Sequence, residues 1–231
     1  MCGRFVSSST PERIAEYFGA TVDTPALPAN HNVAPTSDVY AIVASVDRRP
    51  ALRAYHWGLV PSWAKEMKVG SRMINARAET VAEKPAFKPL LRKQRLIVPM
   101  DGFYEWKVVP GQKAKQPMFI HRADGQPLSV AGLWATWRDR DGGPDAPWLH
   151  SLTVITTSAN ATMSSVHDRM PVVLPEERWG EWLDPDNQDL DSLKALLVPA
   201  ADDLLTMHPV STSVNNVRNN GVELLDPVPV G

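Results

Sequence analysis

The sequence predicts an α+β fold with a β-rich, barrel-like core of mostly antiparallel strands and short peripheral helices. Short segments of strand-like composition recur along the chain, turn dipeptides separate several of them, and helical patterns are few and short. The 21 prolines and 13 glycines are spread out, and no low-complexity linker or internal repeat divides the sequence. We therefore expect a single domain over residues 1–231.

The first expected element is a helix that begins at Thr10 and ends at Gly19. Threonine is a favourable N-cap, a proline follows it in the first turn, and glycine suits the C-terminal cap. Residues 38–46 and 51–57 then predict two strands joined by a charged turn. The following segment is irregular and basic, and within it short helices are expected at residues 78–83 and 86–93.

The middle of the chain predicts strands from β-branched and aromatic runs. They are expected at residues 95–100, 103–109, 118–121, 128–134 and 149–157. Asp101-Gly102 lies between the first two, and Asp124-Gly125 lies between the next two. Because Asp-Gly is typical of tight hairpin turns, we expect each of these strand pairs to form a hairpin.

The C-terminal part predicts short helices and one further strand. A helix is expected at 159–166, and another at 175–182, where acidic residues lie at the end of the helix dipole that favours negative charge. Residues 191–197 predict one more helix, and residues 204–214 predict a returning strand.

Composition excludes several classes of protein. The sequence has no run of 18 or more apolar residues, so it predicts no membrane span. It also has no charged-then-apolar pattern at the N-terminus, so it predicts no export signal. Cys2 is the only cysteine, which excludes an internal disulfide framework and a cysteine-based metal site. A free thiol suits a reducing compartment, so we expect a cytoplasmic location.

The distribution of charge and the aromatic content are compatible with a nucleic-acid partner. The net charge is −2, yet residues 48–95 carry 12 basic and 3 acidic side chains, and residues 176–231 carry 3 basic and 11 acidic ones. This asymmetry predicts either a basic binding face or charges scattered over a solvated surface. Most of the eight tryptophans are expected in the core, and a few are expected to be exposed as stacking platforms for bases.

Cys2 would become the N-terminal residue if Met1 were removed. It would then carry an α-amine and a thiol on adjacent carbons, with ordinary pKa values of about 7.7–8.0 and about 8.5. Both groups would be partly deprotonated near neutral pH. An aldehyde would form an imine with the amine, and the thiol would close a five-membered thiazolidine ring. The alternative is a frayed terminus with an incidental cysteine.

Two polar segments offer groups that bind phosphates or carbonyls. Arg4 follows Cys2-Gly3, and a guanidinium can bind phosphate bidentately. Asn75 carries a donor and an acceptor, so it can hold an amine or a carbonyl. If its segment is extended, Asn75 and Arg77 share one face. The alternative is a capping asparagine followed by a surface arginine.

Two further segments offer acid–base groups. Glu105 follows a turn among aromatic residues, and apolar surroundings favour carboxyl groups that transfer protons near neutral pH. His167 has the side chain best suited to proton transfer in that range. Asp168 is close enough in sequence to orient it, although adjacent residues of a strand point to opposite faces, and Arg169 is another phosphate candidate. The alternatives are an exposed strand glutamate and a structural histidine.

Seven motifs occur in a fixed order along nearly the whole chain. They are Met1-Cys2-Gly3-Arg4-Phe5, Asn32-Val33-Ala34-Pro35, Trp57-Gly58-Leu59-Val60-Pro61, Ile74-Asn75-Ala76-Arg77-Ala78-Glu79-Thr80, Gly102-Phe103-Tyr104-Glu105-Trp106, His167-Asp168-Arg169-Met170-Pro171 and His208-Pro209-Val210-Ser211. In these motifs the sequence closely resembles the SRAP (SOS response-associated peptidase) family, which includes proteins that shield abasic sites in single-stranded DNA. No central position departs from the family pattern.

The resemblance implies that Cys2, exposed by loss of Met1, crosslinks to the ring-opened aldehyde of an abasic deoxyribose. It implies that Asn75 positions Cys2 and that Glu105 and His167 form an acid–base pair. Other residues match family positions that contact DNA, namely Arg4, Arg77, Arg169 and, with a looser alignment, Trp63.

The resemblance also implies a monomer with a positively charged cleft, no cofactor or metal, and association with the nucleoid when bound to DNA. Family members are proposed to cleave their own N-terminal extensions. With cysteine at position 2, we expect that activity to have no substrate in the same chain.

Two rival functions stay open. One is a thiol hydrolase that uses the α-amine of Cys2 as its own base on amide substrates. Turnover of an amide would favour it, because crosslinking is stoichiometric. The other is a non-catalytic reader of modified bases or DNA ends, which would bind abasic and intact DNA equally well with or without the Cys2 thiol.

Overall fold

Two β-sheets dominate the structure. The computed structural model describes residues 2–143 and 145–229, and this part of the chain contains thirteen strands. In chain order the strands are β1 (Phe5–Ser7), β2 (Thr21–Val22), β3 (Asn30–Val33), β4 (Asp38–Ala44), β5 (Pro50–Trp57), β6 (Asn75–Arg77), β7 (Arg95–Met100), β8 (Gly102–Lys107), β9 (Gln116–Arg122), β10 (Leu128–Trp137), β11 (Leu149–Ser158), β12 (Arg169–Pro171) and β13 (Leu205–Pro209).

The larger sheet closes on itself. Its strands follow the order β12-β11-β10-β7-β4-β5-β2, and β11 also pairs with β5, so that β11, β10, β7, β4 and β5 form a ring. β6 lies off this order and pairs with β11 directly after the residues of β11 that pair with β5. Pairing is parallel where β5 or β6 meets β11 and where β2 meets β5, and antiparallel elsewhere in this sheet. The expected barrel-like, mostly antiparallel core is therefore confirmed.

The smaller sheet shares a core with the ring. Its order is β13-β9-β8-β1-β3, and every pair in it is antiparallel. Phe5 and Phe103 from this sheet pack in one apolar cluster with Trp57 and Val98 from the ring. The Phe5 and Trp57 ring centroids lie 5.0 Å apart. This packing fixes β1 and β8 against the ring.

Short helices cover the sheets, as an α+β fold requires. They are α1 (Pro11–Phe18), α2 (Lys88–Lys93), α3 (Ala161–Ser164), α4 (Trp179–Leu183) and α5 (Leu190–Ala195), with 3-10 helices at Met67–Arg72, Glu176–Arg178, Thr212–Asn215 and Val222–Leu225. The ends of α1 are as predicted, because the Thr10 hydroxyl accepts from the Arg13 amide and Gly19 has a φ of 59°. No helix among the described residues is long and apolar enough to cross a membrane.

Two predicted elements differ in the structure. Residues 78–83 form successive turns instead of a helix. The Ala78 amide is bonded to the Thr156 carbonyl of β11, and Pro85 follows shortly after, so the segment is tied to the sheet at one end and blocked at the other. The strand expected at 204–214 ends at Pro209, which has no amide proton to continue the ladder.

Neither predicted hairpin forms, although the strands themselves are present. β7 belongs to the ring and β8 to the smaller sheet, so the chain crosses between sheets at Asp101-Gly102. β9 and β10 are likewise in different sheets. The Asp101 carboxylate accepts from the amides and hydroxyls of Ser8 and Ser9. It therefore fixes the crossing to the end of β1.

Candidate functional site

The Cys2 side chain is buried in the core between the two sheets. It is 0% exposed and packs in the apolar cluster that includes Phe5, Met163 and Met170. Burial raises the pKa of the Cys2 thiol to about 12, and the nearby charge of Glu105 also raises it. Burial therefore opposes the partial ionisation of this thiol that was expected near neutral pH. Met1 lies outside the described residues.

The approach of Glu105 to Cys2 follows from strand pairing. β1 and β8 are antiparallel with Phe5 opposite Phe103, and the Tyr104 amide donates to the Arg4 carbonyl at 2.9 Å. The chain that precedes β1 therefore runs alongside Glu105. The Glu105 side chain is only 4% exposed, so the alternative of an exposed strand glutamate is wrong.

Asn75 reaches Cys2 from the other sheet. It is the first residue of β6, opposite Val154 of β11. The preceding carbonyl, that of Ile74, accepts from the Trp57 indole and from the Val154 amide, each at 3.0 Å. With the backbone held there, Asn75 Nδ2 donates to the Cys2 carbonyl at 2.8 Å. Asn75 Oδ1 is buried and accepts no hydrogen bond from the described residues.

The β6 segment is extended, as the sharing of one face by Asn75 and Arg77 requires. Ala76 between them is buried on the opposite face, and Arg77 is exposed. The alternative of a capping asparagine is therefore wrong. The site thus combines a buried amide with an exposed cation two residues further on.

His167 lies in the link between α3 and β12. Met163 and Met170, which flank it in sequence, pack in the same apolar cluster as Cys2, so the link is fixed close to that core. His167 Nδ1 accepts from the Arg169 amide at 3.0 Å and also lies 2.8 Å from Asp168 Oδ1. The amide contact requires an unprotonated Nδ1, whereas the carboxylate contact requires a proton there.

The two partners of His167 differ in exposure. The Asp168 side chain is 87% exposed and therefore well solvated, whereas the Arg169 amide is fixed by β12. The Arg169 contact is compatible with a neutral ring whose proton is on Nε2, and the Asp168 contact is compatible with a proton on Nδ1.

Arg4 is held within the fold. Its Nη1 donates to Asn32 Oδ1 at 2.8 Å and to the Val214 carbonyl at 2.9 Å, and its guanidinium lies 5.7 Å from the centre of the Trp106 ring. Burial lowers the pKa of Arg4. Because these partners occupy much of the side chain, any phosphate contact would involve its remaining donors.

The role of Asn32 was missed from the sequence. Its Nδ2 donates to three carbonyls of the C-terminal segment, those of Val214, Asn216 and Asn219. Asn32 is 1% exposed, and through Arg4 it links that segment to the strand next to Cys2. The only sequence signal was its place in the second family-like motif.

Arg169 is also engaged. Its Nη1 and Nη2 donate to the two carboxylate oxygens of Glu79 at 2.6 and 2.9 Å, and Nη2 also donates to the Thr156 carbonyl at 2.7 Å. Glu79 was part of a motif but had no predicted role. Arg77 and Arg169 come from β6 and β12, which pair with opposite edges of β11, and Glu79 is influenced by both.

Trp63 is one of two strongly exposed tryptophans among the described residues. It is 62% exposed, whereas Trp57 and Trp182 are fully buried. This agrees with the expectation that some tryptophans lie in the core and a few are exposed. Trp63 lines a shallow cavity of about 260 Å³ together with Pro61, Pro85 and Pro89. No group of three or more His, Cys, Asp or Glu in residues 2–143 and 145–229 could hold a metal ion.

Comparison with known proteins places the chain in a family. The model of the SOS response associated peptidase (SRAP) family matches residues 1–217. The chain belongs to the SRAP family. Its sequence is 42% identical to the abasic site processing protein YoqW of Bacillus subtilis, over 98% of this chain and 99% of that protein. It is 36% identical to YedK of Escherichia coli, also described as an abasic site processing protein, over 99% and 100% of the two chains.

Animal proteins and solved structures are also similar. The abasic site processing protein HMCES of Gallus gallus is 36% identical over 76% of this SRAP chain and 57% of its own length. A phage-related protein of Bordetella bronchiseptica is 31% identical with a TM-score of 0.70, covering 90% of this chain and 94% of its own. A Bacteroides thetaiotaomicron protein has a TM-score of 0.88 at 24% identity over 99% and 100% of the chains, which supports the fold.

Proposed function

We propose that this SRAP protein processes abasic sites in DNA by capturing them covalently through Cys2. The observation that carries the proposal is the 2.8 Å hydrogen bond from Asn75 to the Cys2 carbonyl, made where Glu105 is close enough to raise the pKa of the thiol. Asn75 therefore fixes the backbone of the reacting residue, and Glu105 supplies a carboxylate beside it. The names of the relatives YoqW, YedK and HMCES support the same substrate.

The first step would be imine formation. An abasic deoxyribose is mostly a closed hemiacetal, and a proton donated by His167 to the ring oxygen would assist its opening. After loss of Met1, the Cys2 amine would attack the C1′ aldehyde. Glu105 would relay protons while the carbinolamine loses one water to give the imine. When His167 Nδ1 accepts from the Arg169 amide, Nε2 of the ring carries the proton that this step would use.

The second step would be ring closure by the thiol. The Cys2 sulfur bonds to the imine carbon, and the thiol proton passes to the ring nitrogen, so the product is a thiazolidine. In the free protein the thiol stays protonated because of burial and the Glu105 carboxylate. A protonated imine would bring positive charge to the same place and lower the thiol pKa. This supports the order in which the amine reacts first.

Arg4, Arg77 and Arg169 would hold phosphates around the lesion, and Trp63 would stack on a neighbouring base. A single strand suits such a site, because the abasic nucleotide enters it without the few kcal/mol of unstacking and unpairing that a duplex requires. We expect the protein to act as a monomer. The reaction is of the DNA-crosslinking, lyase type, and the Cys2 thiol would be the nucleophile of any peptidase activity.

We predict that Cys2→Ala abolishes the covalent adduct and that Cys2→Ser yields at most an imine, which lacks the thiol closure and is lost on denaturation. The test is a denaturing gel with single-stranded DNA that contains one abasic site. Intact mass of the wild type, before and after mixing, should show loss of Met1 and then addition of the DNA minus one water.

The control variant is Ser164→Ala, an exposed polar side chain on α3 that should leave the crosslink yield unchanged. A full-yield, denaturation-resistant crosslink from Cys2→Ala would contradict the proposal. Multiple turnover of an amide substrate by the wild type, without a DNA adduct, would instead support the hydrolase alternative.

A further inference from the structure

Glu79 occupies the fork of the Arg169 guanidinium. Both carboxylate oxygens accept from it, at 2.6 and 2.9 Å, which is the bidentate geometry that a backbone phosphate would also adopt. The remaining guanidinium nitrogen, Nε of Arg169, is buried. In the free protein, a phosphate can therefore reach the Arg169 fork only if Glu79 moves.

The two partners differ in their freedom to move. The Arg169 side chain is 13% exposed and is also bonded to the Thr156 carbonyl and hydroxyl, so it is fixed against β11. The Glu79 side chain is 50% exposed and lies in a run of turns. Displacement would therefore take Glu79 into solvent and leave the guanidinium where it is.

A second cation acts on the same carboxylate. The hydrogen bonds from Arg169 lower the pKa of Glu79, and the charge of Arg77 lowers it as well. Glu79 is thus an anion placed within the influence of two arginines. Its negative charge lies where the proposed function needs a DNA phosphate.

We propose that Glu79 acts as an internal substitute for a DNA phosphate, occupying the Arg169 fork until a strand displaces it. This inference rests on the proposed DNA-processing function. Each binding event would exchange one carboxylate for one phosphate at Arg169. The loss of the Glu79 ion pair would therefore offset part of the free energy gained from the phosphate contact. The consequence is weak binding to undamaged single strands, with retention of the strand left to the covalent reaction at Cys2.

The test measures non-covalent binding of undamaged single-stranded DNA by fluorescence anisotropy at several salt concentrations. All proteins carry Cys2→Ala, so crosslinking does not contribute. We expect Glu79→Gln to bind about twofold to fivefold more tightly, the range set by the typical strength of a partly exposed ion pair. Because the strand contacts the Arg169 fork in both proteins, the number of phosphate contacts is the same, and the slope of log K against log salt should change little.

Two controls separate this exchange from a general effect of charge. Glu83→Gln makes the same charge change at an exposed glutamate in the same segment, and it should give a smaller gain in affinity. In an Arg169→Gln background, Glu79→Gln should give no gain beyond that of Glu83→Gln. Thermal unfolding of each variant reports whether the fold is retained.

Equal gains from Glu79→Gln and Glu83→Gln, or an unchanged gain without Arg169, would overturn the inference. Weaker binding by Glu79→Gln would overturn it too, because that result makes Glu79 a residue that positions Arg169 for DNA. None of these outcomes depends on whether Cys2 crosslinks. The gel assay with abasic DNA can therefore fail or succeed independently.

Discussion

At the scale of single residues, the surroundings of the Cys2 thiol decide which nucleophile reacts first. Burial and the Glu105 carboxylate both favour the neutral thiol, and they raise its pKa to about 12. A neutral thiol is a poor nucleophile, whereas a protonated imine formed by the amine would lower the thiol pKa and favour its attack. The same glutamate would thus suppress side reactions of the thiol in the free protein and relay protons in the reaction.

We predict that the Cys2 thiol does not titrate between about pH 7 and 10 in the native protein, although an ordinary thiol titrates near pH 8.5. Glu105→Gln should lower the thiol pKa, because it removes a negative charge that opposes the thiolate. Cys2 is the only cysteine, so protein labelled with ¹³Cβ-cysteine reports this one group by NMR.

The matched control for that titration is Glu79→Gln, which removes a carboxylate that is paired with Arg169 and should leave the thiol pKa unchanged. Protein unfolded in guanidinium chloride should titrate at the ordinary value. Native wild type that titrates near pH 8.5 would contradict the prediction and restore the expectation drawn from the sequence.

The sequence was sufficient to select Cys2, Asn75, Glu105 and His167 as candidates, because their motifs are distinctive. It was insufficient to predict the state of the thiol. That protonation state depends on burial between the two sheets and on the pairing of β1 with β8, which brings Glu105 near Cys2. The hydrogen bond from Asn75 to the Cys2 carbonyl likewise joins residues 73 positions apart. Such contacts are set by the packing of two sheets and leave no local pattern.

At the scale of elements, Gly102 shows why strands were easier to predict than their partners. Asp-Gly between two strands indicated a hairpin, yet β7 and β8 lie in different sheets. The glycine is required for close packing instead. A Cβ at Gly102 would overlap the Phe119 ring and lie 2.7 Å from the Ile120 carbonyl oxygen. Local composition predicts that a strand exists, but pairing is decided by distant segments such as β1 and β9.

We predict that Gly102→Ala destabilises the protein by about 1–3 kcal/mol, the usual cost of overpacking a well-packed core. Phe119 is 7% exposed and packs against Tyr104, so it has little room to move away. Urea denaturation measures the change in the free energy of unfolding. Because β8 carries Glu105, crosslinking by this variant should slow as well.

Gly180→Ala is the control for that substitution. Gly180 lies in α4, and a Cβ there would meet no atom within 4 Å. This variant should be neutral or more stable, by up to about 1 kcal/mol, because alanine favours the helix. Equal stability of the two variants would show that the smaller sheet tolerates the displacement of Phe119.

At the scale of the whole molecule, only part of the basic segment is available to DNA. Arg48, Arg49, Arg53 and Lys68 each lie in an ion pair with a nearby carboxylate. Arg95 is 3% exposed and donates to carbonyls at the ends of α2 and α4. The exposed cations of this segment without an ion pair to any described residue are Lys65, Arg72, Arg77, Lys84, Lys88 and Lys93.

This selection narrows the interpretation of a basic binding face to a few cations. Lys84 and Lys88 alternate in sequence with Pro85 and Pro89, which line the cavity beside Trp63. A phosphate near these lysines and a base stacked on Trp63 are compatible with one extended strand. The sequence showed an excess of charge, but not which cations were already neutralised, because their partners lie as far away as Asp186.

We predict that Lys88→Gln weakens binding to single strands of any sequence, whereas Arg53→Gln, which removes the same charge from an ion pair with Asp23, leaves binding nearly unchanged. Loss of one phosphate contact should make the slope of log K against log salt less negative by about 0.7. Anisotropy titrations over a salt series give both quantities.

If the two variants weaken binding equally, attraction follows the net charge of the molecule, and the surface beside Trp63 has no special part in it. If only Lys88→Gln acts, the strand follows that surface, and Trp63→Ala should then lose affinity while Trp148→Ala, equally exposed, should not.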